Sequence, residues 1–176
     1  MTIGRFLIAP ALALLAVAAG GGLSGAWAQT NPWTSVGSAG TVDEADAALA
    51  AFSGAVVAMA PGTTGTLNIR YNVVAVEGLF GGDGMYMRIR LRDSGAGRVV
   101  ARLKRYDQVT GVTTTRLTID SNDAAPQPGF RNLEVADCAG SPSFFDAAYF
   151  VDVEITRGVA TADPALASLK VSLGLC

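Results

Sequence analysis

Histidine is absent from all 176 residues. That excludes Ser-His-Asp and Cys-His nucleophile activation, and with them histidine-ligated zinc, copper or haem. Any catalysis would have to rest on carboxylates, tyrosine, lysine or arginine. Cysteine occurs only twice, at Cys138 and Cys176, far from CxxC spacing and without flanking basic residues. A redox pair is therefore disfavoured. Past residue 28 a single tryptophan remains, Trp33, which leaves few flat aromatic platforms of the kind that stack on sugar rings. The same stretch holds no apolar run long enough to span a bilayer. It also lacks internal repeats, low-complexity tracts and recognisable nucleic-acid motifs.

What is present begins with residues 1–28. Arg5 supplies a short positive region, Phe6 to Ala19 are apolar apart from Pro10, and Gly20–Gly22 lead to Ala26-Trp27-Ala28 before Gln29. That is the layout of a bacterial secretory signal peptide with a small-x-small cleavage site. No cysteine lies near the cut, so a lipoprotein anchor is not expected. Removing 28 of the 176 residues leaves 148, enough for one domain with a real core. The exported chain is expected in the periplasm, at the cell surface or in the medium, without a transmembrane anchor. There Cys138 and Cys176 read as one structural disulfide. Closing that 39-residue loop would stabilise the fold by roughly 4 kcal/mol on a chain-entropy estimate.

Residues 29–40 are small, polar and Gly/Ser-rich, which predicts a flexible leader. The stretch 43–52 is ambiguous. Thr41 to Glu44 has capping-box spacing before an alanine run, yet Ser53-Gly54 and Val56-Val57 argue against a helix. From Thr66 onward the signal is alternation at period two, the mark of half-buried strands. Leu67, Ile69, Tyr71 and Val73 share one face, as do Met85, Met87, Ile89 and Leu91. Val99, Ala101 and Leu103 repeat the pattern, as do Leu117 and Ile119. Tyr149, Val151, Val153 and Ile155 follow, then Leu169, Val171, Leu173 and Leu175, with a further run over 130–136. Gly81–Gly84, Ser94–Gly97 and Thr110-Gly111 suit hairpin turns, and the longer segments 120–129 and 137–146 suit crossings between sheets. The expected fold is all-β, an antiparallel β-sandwich or jelly-roll-like domain of about 7–9 strands over 41–176.

Charge is unevenly distributed. Residues 66–119 hold nine basic and four acidic side chains, whereas the rest of the exported chain holds three basic and eleven acidic. If the strands over 85–92, 99–106 and 112–119 pair in sequence, Arg88, Arg90, Arg92, Arg102, Lys104 and Arg116 lie side by side on one sheet face. Like charges across strands cost stability unless something compensates. Solvent or an acidic flank around Asp43, Glu44 and Asp46 would do so. An anionic partner such as an acidic polysaccharide would also do so, because arginine forks match carboxylates. Tyr86 and Tyr106 would add flat contact beside the charges. Nucleic acid is not an expected partner for a chain that is acidic overall.

Two other constellations remain. Asp152 and Glu154 alternate on the outward face of one strand, a spacing compatible with two-carboxylate glycoside hydrolysis but shared by any such pair. Asp120, Asn122 and Asp123 could offer oxygens to calcium, or simply form an Asx-rich turn. Phe144, Phe145 and Phe150 are expected to pack in the core. The blocks Arg70–Val74 and Ala148–Val151 look like stretches of secreted bacterial β-proteins, a likeness that implies no site residues. No cofactor is implied. The expected function is a secreted, non-catalytic envelope or matrix protein that binds another macromolecule through the basic face. The alternatives are a self-assembling surface subunit and, behind it, a small carboxylate-dependent glycoside hydrolase.

Overall fold

The computed structural model describes residues 31–76, 79, 84–94, 96–140 and 142–173. Residues 1–28, with the expected signal peptide, lie outside them, as do Gly81 to Asp83, Gly95 and Cys176. Among the described residues the chain forms eleven strands: β1 (Trp33–Val36), β2 (Thr41–Val42), β3 (Ala50–Ser53), β4 (Val56–Met59), β5 (Gly65–Val73), β6 (Met85–Arg92), β7 (Gly97–Asp107), β8 (Thr113–Asp120), β9 (Arg131–Asp137), β10 (Ala147–Arg157) and β11 (Ala165–Leu173). Every pairing is antiparallel. One sheet runs β3-β4-β11-β6-β9, with β1 also on β11, and the other runs β2-β5-β10-β7-β8. The fold is an antiparallel β-sandwich of jelly-roll-like topology.

The alternating runs account for the core. Met85, Met87, Ile89 and Leu91 of β6 are fully buried, and Leu67, Ile69, Tyr71 and Val73 of β5 pack from the opposite sheet. Tyr149, Val151, Val153 and Ile155 of β10 complete the second layer. Burying a side chain of this size stabilises by about 1.5–3 kcal/mol, so the period-two pattern alone commits each strand to one orientation.

Topology departs from the expectation in one decisive respect. Every connection crosses between the sheets except the β3–β4 and β7–β8 hairpins. The segments around Gly81–Gly84 and Ser94–Gly97 are therefore crossings, not hairpin turns. Thr110-Gly111 does close a hairpin, where Gly111 adopts φ 72° and its N–H donates to the Asp107 carbonyl at 2.9 Å. Segments 120–129 and 137–146 cross between sheets as expected.

Residues 29–40 are not wholly a flexible leader. Trp33 is buried, and β1 pairs with β11 from Trp33↔Val171 to Val36↔Ser168. A short polar run hid one large apolar anchor. Gly37 then passes so close to β11 that a Cβ would lie 2.1 Å from the Leu166 carbonyl oxygen, which explains a residue without a side chain there. The ambiguous stretch 43–52 proves to be both things: a 3₁₀ helix over Glu44–Leu49, capped by Asp43 rather than Thr41, then β3.

Two arginines, buried Arg157 and half-buried Arg131, tie loops to this frame. Arg157 donates to the carbonyls of Met59, Ala60 and Thr63 at 2.8–3.0 Å. Arg131 pairs with buried Asp93 at 2.6 Å and also donates to the carbonyls of Ser121 and Ala125. It thereby fastens the β8–β9 crossing to the end of β6.

Candidate functional site

Because β6 and β7 belong to different sheets, the six expected basic residues do not form one face. Arg88, Arg90 and Arg92 point outward from the first sheet and Arg102 and Lys104 from the second. Arg116 instead sits at the β7–β8 register shift, where Lys104 pairs with Thr115, and reaches Asp137 and the Ala139 carbonyl at the end of β9. Five of the six pair with acids of β9, β10 or the segment before β11 rather than with the flank around Asp43. Arg88 meets Glu134 at 2.6 Å across the β6–β9 pair and donates to the Tyr86 hydroxyl at 2.9 Å. Arg92 meets Asp163 at 2.5 Å, and Arg116 meets Asp137 at 3.3 Å. Arg90 lies over the Phe130 ring at 5.8 Å, and Arg92 over the same ring at 5.0 Å. Neither Arg90 nor Lys170 has an ion pair among the described residues.

The second sheet's outer face carries a groove. Its cavity volume is about 490 Å³, and its floor is Asn68, Arg70 and Asn72 of β5 beside Asp152 and Glu154 of β10. The wall is Thr41, Val42 and Asp43, where β2 pairs with β5. Alternation explains the chemistry: while Leu67, Ile69 and Tyr71 turn into the core, Asn68, Arg70 and Asn72 must face out. Cross-strand register then sets Asn68 against Glu154, Arg70 against Asp152, and Asn72 against Phe150.

These partners are held firmly. Arg70 Nε donates to Asp152 Oδ1 at 2.8 Å, and Lys104 Nζ donates to Asp152 Oδ2 at 2.7 Å. Arg102 Nη1 donates to Glu154 Oε1 at 2.6 Å. Arg70 and Lys104 also cover the Phe150 ring, 4.8 and 6.0 Å from its centroid. Asp46 accepts from both the backbone N–H and the side-chain amide of Asn68, at 2.9 and 2.7 Å. That carboxylate locks Asn68 in the groove and occupies a backbone donor on the edge of β5.

Burial alone would push the Asp152 carboxyl up. The hydrogen bonds from Arg70 and Lys104 outweigh it and hold the group below its ordinary range. A carboxylate so clamped is a poor proton donor, whereas the acid of a glycoside hydrolase needs a raised pKa. Asp152 and Glu154 do sit outward on one strand as expected, but as ion-pair partners.

The remaining candidates are placed as follows. Asp120 pairs with Arg98 and accepts from the Asn122 N–H at 3.0 Å, capping a 3₁₀ turn over Ser121–Asp123. Asp120, Asn122 and Asp123 thus form the Asx-type turn, and no group of three or more metal-ligating side chains occurs among the described residues. Phe144 packs on Tyr149, with ring centroids 4.9 Å apart, and Phe150 is half-buried under its cations. Phe145 departs from the expectation of burial, being 97% exposed. No cysteine is free among the described residues. No described helix is long and apolar enough to cross a membrane.

No protein-family model and no curated relative matches the chain. Solved structures with a similar fold include the CBM36-1 domain of a multidomain xylanase from the hindgut metagenome of Trinervitermes trinervoides, 12% identical with a TM-score of 0.43 over 83% of this chain and 100% of that one. Another is the enzymatically active domain of bacteriophage CBA120 tailspike protein 4, at 14% identity and TM-score 0.47 over 82% of this chain and 19% of that one. A third is the carbohydrate-binding module CBM6cm-2 from Cellvibrio mixtus lichenase 5A, solved with cellotriose, at 10% identity and TM-score 0.42 over 81% of this chain and 98% of that one. Likeness at this level carries no weight for what this chain binds. That has to come from its own side chains.

Asn68, Arg70 and Asn72 were not legible as site residues in the sequence. Only the register with β10, set by a strand about eighty positions later in the chain, brings them against Asp152 and Glu154.

Proposed function

We propose that the protein is an exported, non-catalytic polysaccharide-binding module whose ligand lies in the groove over β5 and β10. The observation that carries this reading is the lining itself. Two asparagine amides, an arginine and two carboxylates converge on an open trough. Planar polar groups of this kind donate and accept hydrogen bonds in pairs, which suits adjacent hydroxyls on a sugar ring. Their charges are already satisfied within the chain, so the trough presents fixed hydrogen-bonding geometry rather than an open field of one sign. An uncharged, hydroxyl-rich polymer fits it best. Export rests on the signal-peptide layout of residues 1–28, and closure of the fold on a Cys138–Cys176 bridge.

An acidic polysaccharide held by the first sheet is the second reading, favoured by one observation. Arg88 stands directly across from Lys170 in the β6–β11 pair. Arg88 is paired with Glu134 and Arg92 with Asp163, but Arg90 and Lys170 have no ion pair among the described residues, so an anion would relieve like-charge repulsion there.

Affinity electrophoresis of the purified protein against neutral and acidic polysaccharides, at low and moderate salt, tests both. Retardation by a neutral glycan that is insensitive to salt and lost in Asn72→Ala supports the groove. Retardation only by acidic polymers, weakened by salt and abolished by Arg90→Glu, transfers the site to the first sheet. Binding to none, with concentration-dependent oligomers in light scattering, overturns both in favour of a self-assembling subunit.

A further inference from the structure

The outer face of the second sheet does not end with the groove. The register continues the row Asn72–Phe150–Lys104 to Ala148 opposite Tyr106, and Val74 is the next outward position after Asn72 on the chain leaving β5. Here the chemistry changes from polar to apolar. Val74 is 58% exposed, Tyr106 is 41% exposed, and Ala148 between them is exposed. Just past this row the β7–β8 hairpin and the segment before β10 are joined by a bond from the Gln108 N–H to the Asp146 carbonyl at 2.9 Å. That bond sets Val109 and Phe145, both nearly fully exposed, on the same rim.

The exposed cross-strand pair of Ala148 and Tyr106, with exposed Val74 just past the end of β5, is not needed for the core. Each faces away from it. Contiguous exposed apolar surface of this kind marks a contact site. The row lies on the same strands as the groove, with its hydrogen-bonding groups at one end and its flat apolar surface at the other. From the Asn68 row to the Val74 row is about 20 Å at ~3.3 Å per residue, enough for several sugar rings.

We propose that Val74, Ala148 and Tyr106 form a shelf continuing the groove, and that the ligand is a neutral glycan of pyranose rings with equatorial hydroxyls. Such rings present polar edges to the asparagine–arginine–carboxylate trough and apolar C–H faces to the shelf. Tyrosine suits this contact because its ring is flat and its hydroxyl tolerates water. This inference rests on the polysaccharide reading of the groove and narrows its ligand class.

The test is calorimetric titration with β-1,4-linked glucose oligomers of rising length, with α-linked dextran fragments in parallel. The proteins are the wild type, Asn72→Ala and the double variant Val74→Asn/Tyr106→Ser. Both shelf positions are exposed, so the melting temperature of the double variant should match wild type. The shelf predicts tighter binding of long β-linked oligomers than short ones, and no comparable gain for dextran. The double variant should lose that length-dependent gain, about fivefold or more in affinity, while keeping wild-type affinity for the short oligomers. Asn72→Ala should weaken short and long oligomers alike. Unchanged length dependence in the double variant, with Asn72→Ala still impaired, overturns the shelf and leaves the groove standing. Wild-type affinity in both variants, or no binding of any oligomer by wild type, overturns the groove reading and the shelf together.

Discussion

The Tyr71 hydroxyl donates to the Gly37 carbonyl at 2.5 Å, joining the core of the second sheet to the segment that leaves β1. Its ring is 3% exposed, so the donor and acceptor satisfy each other away from water. Burial raises the phenol pKa well above its ordinary value. Tyr71→Phe should cost about 1–2 kcal/mol, measured by chemical denaturation at neutral pH, because the carbonyl loses its partner. The sign of the pH dependence follows. A raised phenol contributes stability that is complete below the unfolded value near 10 and is lost as pH rises toward the folded one. Wild type should therefore weaken above about pH 10, and Tyr71→Phe should weaken less steeply.

Asp93 and Arg131 form the most buried ion pair, with side chains 2% and 10% exposed. Removing one partner strands a charge. Arg131→Met alone should lower stability by about 3–5 kcal/mol, whereas Asp93→Leu with Arg131→Met should recover much of that loss. Urea midpoints of wild type, single and double variants measure the coupling. A double variant as unstable as the single one would show that Arg131 acts through the loop carbonyls it also binds.

Arg157 is 4% exposed and its guanidinium is met by three carbonyls, with no carboxylate partner among the described residues. Its fork spans the chain from Met59 to Thr63, which a lysine cannot reproduce. Both Arg157→Lys and Arg157→Met should lower the melting temperature, by several degrees for each ~1 kcal/mol lost. Protease cleavage near Pro61-Gly62 should rise in both.

Acid should loosen the outer face of the second sheet. Asp152 is held below its ordinary range despite its burial, by Arg70 and Lys104. Asp120 is held low first by Arg98. Depressed carboxylates contribute stability that is present above the unfolded value near 4 and is lost as pH falls through the folded value. Denaturation midpoints should fall below about pH 4, and Asp152→Asn should flatten part of that fall. Neutral-glycan binding should decline over the same range as the trough loses its order.

Residue pattern determined most of the architecture. Period-two runs over 66–73, 85–92 and 149–155 each commit one face to the core, because reversing a strand would drive four large apolar side chains into water. The absence of histidine by itself closes the histidine-dependent chemistries. Local pattern is silent on which strands become neighbours, and tertiary structure decided that. Between β6 and β7 the chain steps across to the other sheet, where Gly97 lies against Pro164 and Arg131 reaches Asp93. That step divides the basic residues of β6 from those of β7, and β10 lies between β5 and β7. Arg70, Asp152 and Lys104 meet only because of that insertion. The burial of Trp33, likewise, was decided by the edge that β11 offers to β1. A sequence records which face each residue prefers, and long-range register decides what stands opposite.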